Sequence, residues 1–273
     1  MAFRLPFRAI RQASRAVADA PGVRDLRRFW YDQRLVAGAA PGACYGIFAD
    51  FEEARAAIPK NRVVGYDQPE MAAMYRERTE RVFPADYAAI YWMSRFLPEV
   101  RRLFDFGGHI GLHYYSYRRY LEYPAGLAWA ICDVPEVVKA GRELAAERHA
   151  TGLTFTESFD DADGADLLLA SGSLQFLPGD FLANGLTKLR TRPRHVLINR
   201  TPVHKNKQFV TLHDNTACHP YTVFERGRFI DTLRSFGYEL VDEWDVAELH
   251  FEVPCYADYE VPAYSGFYFR KAS

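Results

Sequence analysis

The residues most suggestive of chemistry surround a glycine-rich turn at residues 105–111, which reads Asp-Phe-Gly-Gly-His-Ile-Gly. An acidic residue ends an apolar run there, and three glycines precede a stretch with helical character. Glycines at such a turn let a ligand approach the backbone, and the N–H groups at a helix N-terminus can bind its polar groups. The set Asp105, Gly107, Gly108 and Gly111 therefore predicts a ligand-binding turn.

The turn does not match the dinucleotide fingerprint G-x-G-x-x-G. Counted from Gly107 the pattern fails at His109, and counted from Gly108 it fails at Ile110. A nicotinamide cofactor is therefore not favoured. The form that fits is an acid followed by glycines at the second and sixth positions after it.

A second carboxylate, Asp133, follows the next apolar run. A carboxylate at the carboxyl end of a strand beside a glycine turn can accept hydrogen bonds from both hydroxyl groups of an adenosine ribose. The alternative is a structural role as a helix N-cap next to Pro135, which the sequence also supports.

Three histidines, His204, His213 and His219, fall within a polar stretch at residues 199–224. Histidine titrates near neutral pH, so these residues are candidates for a general base. His213, followed by Asp214, is the first choice, and His219, near Tyr221, is the second. Tyr221 is a candidate wall or hydrogen-bonding group of the same site. Solvated loop histidines are the alternative, and nothing in their spacing demands a metal ion.

Alternating strands and helices must position these residues. We expect five buried strands at residues 100–106, 127–134, 153–158, 165–173 and 194–201, with helices between them, the first through about residue 123. A helix, Gly237 and two further strands follow, the last at 263–271. This alternation predicts an α/β, Rossmann-like sheet, mostly parallel with an antiparallel edge strand.

Residues 1–98 are predicted to form a helical region, a lid or an oligomerisation lobe, before the ligand-binding domain at 99–273. Residues 1–20 carry apolar residues at helical spacing beside a face of arginines. This segment predicts a membrane-surface or partner-binding helix, or simply a helix packed on its own domain. Residues 37–48 are predicted to be a small-residue loop.

Composition narrows the functional classes. The chain has 273 residues, and 49% of them are hydrophobic. Its formal net charge of −1 argues against the overall positive charge that is typical of nucleic-acid-binding proteins. Its four cysteines form no CxxC pair, and no apolar run is long enough to span a membrane. We expect a cytoplasmic protein with reduced thiols, which could contact the inner membrane peripherally.

The two motifs together resemble a known family. "DFGGHIG" followed by "CDVPEVV" is similar to class I S-adenosylmethionine-dependent methyltransferases, in particular small-molecule O-methyltransferases. The fuller pattern, with "LLLASGSLQFLPG" and "GYELVDEW", resembles bacterial methyltransferases associated with surface-polysaccharide or natural-product genes. The resemblance covers roughly residues 75–270 and implies S-adenosylmethionine as the cofactor.

Carried over residue by residue, the resemblance implies two groups of cofactor contacts. The methionine end would lie on Asp105, Gly107, Gly108 and Gly111, close to Ser171 and Gly172. The nucleoside would lie on Asp133, Val134, Glu157 and Ser158. Two residues depart from the family pattern, since His109 stands where a glycine is usual and Gln175 stands where plant relatives have a catalytic histidine.

The sequence thus predicts methyl transfer to a heteroatom, most readily oxygen, of a small molecule or glycan. An inert methyltransferase-fold scaffold and a nicotinamide oxidoreductase are the alternatives. Self-association into a homodimer, or membrane contact, would involve the N-terminal helix.

Overall fold

The computed structural model describes residues 20, 22–39, 42–65, 67, 75–215 and 217–272. Its helices in this part of the chain are α1 (Val23–Ala37), α2 (Phe51–Ala56), α3 (Tyr87–Phe96), α4 (Leu112–Tyr117), α5 (Pro135–Glu147), α6 (Phe181–Lys188) and α7 (Arg226–Ser235). Its strands are β1 (Ala43–Phe48), β2 (Arg102–Phe106), β3 (Ala128–Cys132), β4 (Leu153–Thr156), β5 (Leu167–Ser171), β6 (His195–Thr201), β7 (Val203–His204), β8 (Phe209–Asp214), β9 (Cys218–Glu225), β10 (Tyr238–Val246) and β11 (Tyr264–Lys271).

Seven strands form one large sheet in the order β4-β3-β2-β5-β6-β11-β10. The pairings from β4 through β6 are all parallel, whereas β11 runs antiparallel to both β6 and β10. Separate apolar clusters cover the two faces, which explains why the central strands read as continuous apolar runs. The predicted α/β, Rossmann-like fold is confirmed, and β11, inserted between β6 and the edge strand β10, is its antiparallel strand.

The helix after the glycine turn is shorter than predicted. It ends at Tyr117 instead of continuing to about Tyr123. The chain folds back at this point, because the Tyr123 hydroxyl donates to the carbonyl of Tyr114 at 2.8 Å and its ring packs on Trp129. This packing replaces the last predicted helical turn.

A second, four-stranded sheet has the order β1-β8-β9-β7. Two predictions were wrong here. Strand β1 lies within the segment 37–48, which was predicted to be a loop, and strands β7, β8 and β9 lie along the polar stretch that begins at residue 199. The alternation of side chains explains why these segments are strands. Successive side chains of residues 209–214 and 218–225 point to opposite faces of the small sheet, where they join two separate apolar clusters. The histidines therefore lie on strands.

The small sheet joins both halves of the sequence. Strand β1 pairs antiparallel with β8, and Arg62 forms an ion pair with the buried Asp214. The predicted helical region thus contributes a strand to the same sheet as residues 209–225. The predicted helix at 1–20 lies almost entirely outside the described residues. Among the described helices, none is long and apolar enough to cross a membrane.

Candidate functional site

The glycine turn follows β2 directly, at the carboxyl edge of the parallel strands. Gly107 and Gly111 have φ angles of 74° and 104°, which glycine adopts without the strain that a side chain would add. A Cβ atom on Gly107 would overlap the Cβ of Ser173, and one on Gly108 would overlap the Asp105 carboxylate. The turn therefore needs glycine in order to pack against its own neighbours.

Asp105 lies beneath this turn, with 0% of its surface exposed. Its carboxylate contacts His113 Nδ1 at 3.0 Å and accepts a hydrogen bond from Trp129 Nε1 at 3.2 Å. Burial works to lower the pKa of His113, but the adjacent Asp105 outweighs it and raises that pKa. Asp105 therefore lies in a buried pair beneath the turn.

His109 adopts a left-handed backbone with φ of 55°, which matches the glycine usual at its position. Its buried ring packs on Tyr75 with centroids 4.2 Å apart, and neither ring nitrogen has a hydrogen-bond partner among the described residues. Burial, with a smaller effect of Arg78, lowers the pKa of His109 to about 4, so the ring is neutral at physiological pH. Its backbone N–H donates to Asp133.

Asp133 stands just past β3, beside the turn. One carboxylate oxygen accepts from the N–H of His109 and the other from the N–H of Val134, each at 2.9 Å. Every carboxylate oxygen can accept two hydrogen bonds, so each retains capacity for one further donor. Burial raises the pKa of Asp133 to about 6, although these backbone hydrogen bonds act in the opposite direction. The group is thus a fixed carboxylate with capacity for two further donors.

The remaining predicted nucleoside contacts lie at the ends of neighbouring elements. Val134 precedes α5, and the exposed Glu157 and Ser158 follow β4. The Ser158 hydroxyl already accepts from the N–H of Asp160 at 3.2 Å, which caps the short helix Phe159–Ala162. Glu157 is the more available of these two side chains.

Past β5 the chain turns through Gly172, whose φ is 74°, into the short helix Leu174–Phe176. Ser173 donates to the carbonyl of Phe106 at 2.7 Å and so ties this turn to the glycine turn. Ser171 is buried and accepts from Asn199 at 3.4 Å. Gln175 is buried as well, and its Oε1 has no hydrogen-bond partner.

The structure brings the three candidate catalytic residues together. His213 on β8 lies directly opposite His219 on β9, and Tyr221 shares their face of the small sheet. The rings of His213 and Tyr221 are 4.9 Å apart, and Phe176 lies 5.5 Å from His219 and 5.1 Å from Tyr221. Since Phe176 follows β5, the histidine face meets the carboxyl edge of the large sheet.

Burial lowers the pKa of both histidines, and that of His219 falls to about 4. Both rings are therefore neutral at physiological pH and can accept a proton. Alternation along β8 turns Asp214 to the opposite face, where it pairs with Arg62.

Sequence reasoning missed a polar cluster beside this site. Asp86 accepts from the Tyr117 hydroxyl at 3.3 Å and lies 3.8 Å from Nε of Arg200. Arg200, at φ of 53°, follows Asn199, whose side chain donates to the carbonyl of Ala85 at 2.9 Å. The one available signal was the pair Asn199-Arg200 at the end of a predicted strand, where ligand-binding residues collect.

No protein-family model and no curated protein matches this chain. It is similar in structure to the magnesium protoporphyrin IX methyltransferase of Synechocystis PCC 6803 with bound SAH, at 12% identity and TM-score 0.49, covering 76% of this chain and 96% of that one. An O-methyltransferase from a trans-AT PKS multienzyme of Brevibacillus brevis gives 12% identity, TM-score 0.48 and coverages of 78% and 82%.

A third similar structure is the 1,6-didemethyltoxoflavin-N1-methyltransferase of Burkholderia thailandensis, at 19% identity and TM-score 0.45, covering 69% of this chain and 80% of that one. These similarities are in the backbone fold. The function is therefore argued from the geometry of this protein's own residues.

Proposed function

We propose that this protein is a cytoplasmic S-adenosylmethionine-dependent methyltransferase acting on a heteroatom, most readily oxygen, of a small molecule or glycan. The observation that carries the proposal is the Asp133 carboxylate, held by two backbone N–H groups beside a glycine turn. This acceptor lies at the carboxyl edge of a sheet that ends in an antiparallel hairpin. Two ribose hydroxyls match its remaining capacity, and the failed dinucleotide fingerprint disfavours a nicotinamide.

S-adenosylmethionine supplies an activated methyl group on a positively charged sulfur. The chain's task is then to align the acceptor for in-line attack and to take up its proton. Asp133 fixes the nucleoside, the glycine turn and Gly172 leave room for the methionine end, and Phe176 with Tyr221 forms an apolar wall. With a hydroxyl acceptor, an imidazole of this face would take up the hydroxyl proton during the transfer.

The geometry favours His219 over His213 as that imidazole. His219 is on β9, the strand that contacts the turn after β5, and its ring lies beside Phe176. His213 is one strand further away and stacks on Tyr221. We therefore place His219 as the base and His213 as its neighbour.

Calorimetry with S-adenosylmethionine, S-adenosylhomocysteine and NAD tests the cofactor. We expect binding of the first two and none of NAD, and the reverse result would replace methyl transfer by hydride transfer. Turnover on a panel of hydroxyl, amine and carboxylate acceptors then tests catalysis. Cofactor binding without turnover on any acceptor would favour the inert scaffold, for which the buried Gln175 is the motivating feature.

A further inference from the structure

Helix α1 has two apolar faces, and within the described part of the chain one is packed and the other is exposed. Leu35 is buried, and Tyr31 is half-buried, against the small sheet. The side chains that receive them include Tyr45, Val210, Leu212 and Cys218. One face of α1 therefore anchors the helix to the protein.

The opposite face is exposed to an unusual degree. The exposed fractions there are 42% for Val23, 70% for Leu26, 61% for Phe29, 53% for Trp30 and 44% for Val36. At 100° per residue these five side chains fall within an arc of about 140° on the helix. They are five of the eleven large apolar side chains that are exposed in the described part of the chain. Such a concentration marks an interaction surface.

Positive charge accompanies this surface. Residues 1–37 contain eight arginines and three aspartates, with no lysine or glutamate. Their net charge is thus +5, and because the whole chain carries −1, residues 38–273 carry −6. At 100° per residue, Arg27 and Arg34 adjoin the apolar arc on α1, and Arg34 lies 4.6 Å over the ring of Trp30. Arg24 lies on the packed side instead, 5.7 Å over the ring of Tyr256. The apolar face therefore lies within the most basic region of an otherwise acidic protein.

We propose that the exposed face of α1 docks on an anionic lipid surface. A helix lying in the interface buries aromatic and aliphatic side chains at the acyl boundary while its arginines remain among the headgroups. Trp30 and Phe29 suit that boundary, and the +5 charge complements anionic headgroups. The inference does not depend on the proposed methyl transfer.

A second copy of the chain is the competing occupant, and charge disfavours it. A symmetric pairing through α1 would bring two basic regions of the same sign together, which costs free energy. An anionic bilayer satisfies both the apolar side chains and the arginines.

The proposed docking leaves the candidate site open. Alternation along β8 turns Val210 and Leu212 toward α1 and turns His213 to the other face of the small sheet. The sheet therefore separates α1 from the histidines. Membrane binding and ligand binding are expected to be independent.

Vesicle sedimentation with the full chain tests the proposal. We expect binding to vesicles of phosphatidylcholine with phosphatidylglycerol, weaker binding to phosphatidylcholine alone, and loss of binding at high salt. The double variant Leu26→Ser/Trp30→Ser should lower the bound fraction by at least about tenfold. Arg27→Glu/Arg34→Glu should do the same on the anionic vesicles.

Two control variants make the same kinds of substitution at exposed positions outside α1. Tyr91→Ser/Val241→Ser takes two exposed apolar side chains, and Arg95→Glu/Lys188→Glu makes the same change in charge. Both should bind like the wild type, with unchanged thermal unfolding in all variants.

Three results would overturn the proposal. The first is no binding to either vesicle, and the second is binding that both α1 variants leave unchanged. The third is a dimer, seen by light scattering, that Leu26→Ser/Trp30→Ser dissociates without any change in vesicle binding.

Discussion

At the scale of single residues, the two acids of the predicted site have different roles. Asp133 retains capacity for two donors, whereas Asp105 is fully buried against His113 and Trp129. The open carboxylate is the one proposed to bind a ligand, whereas the enclosed one is expected to stabilise the turn above it. Mutations at the two positions should therefore have separable effects.

Asp133→Asn should weaken S-adenosylmethionine binding at least tenfold, because about 1 to 3 kcal/mol is lost when hydroxyls lose their acceptor. The wild type should also show a pH dependence. Bound hydroxyls favour the ionised carboxylate and lower its pKa from about 6, so affinity should fall as the pH falls through 6. Calorimetry between pH 5 and pH 8 measures this change. The exposed Glu143→Gln is the control, and a slope that persists in Asp133→Asn would contradict the assignment.

Asp105→Ala should lower the free energy of unfolding by about 3 kcal/mol or more, because it leaves His113 buried without its charge partner. The raised pKa of His113 gives this pair a signature in stability. Its contribution is fully present below pH 6.5 and is lost as the pH rises through the elevated pKa in the folded state. Urea unfolding across that range measures both effects.

The exposed Asp160→Ala provides the comparison for Asp105→Ala, with no expected loss of stability. If Asp105→Ala unfolds like the wild type but no longer binds S-adenosylmethionine, Asp105 contacts the ligand after all.

At the scale of elements, the pairing of β8 with β9 brings together two histidines that are six residues apart in the sequence. His213 and His219 face each other because the register of this pair sets them opposite, and β9 brings them to the turn after β5. Burial in this position lowers the pKa of both rings. The pairing thus decides both their location and their protonation.

His219→Ala should lower kcat about 100-fold or more on any hydroxyl acceptor that is turned over, with little change in cofactor affinity. The acidic limb of the wild-type rate profile should lie near the lowered pKa of about 4, leaving the rate flat between pH 6 and pH 8. Steady-state kinetics across pH measure this limb. His204→Ala, on the short strand β7, should retain the wild-type rate.

Normal turnover by both His219→Ala and His213→Ala would exclude the histidine mechanism. Alignment of an acceptor that is already ionised would then account for the reaction.

At the scale of the whole molecule, the small sheet joins regions from both sides of residue 98. Strand β1 covers the edge of β8, and the Arg62–Asp214 ion pair joins the same two regions. Removing residues 1–98 would expose both a strand edge and the apolar clusters around it.

We therefore expect a chain of residues 99–273 to aggregate or unfold at a lower temperature than the full protein. A chain lacking only residues 1–19 should keep its melting temperature and its cofactor affinity. Size-exclusion chromatography and thermal unfolding measure the outcome. A monomeric, cooperatively folded 99–273 fragment would show that the predicted domain boundary is correct.

Local patterns in the sequence were sufficient to predict the strands of the large sheet and the glycine turn. Continuous apolar runs such as Leu167–Ser171 and the glycine spacing after Asp105 are local patterns, so their structure can be predicted without knowing their neighbours. Only the tertiary structure decided which acid stays open, that β1 pairs with β8, and that Asp214 faces away from His213. Strand pairing and burial join residues far apart in the chain, and no local pattern specifies those contacts.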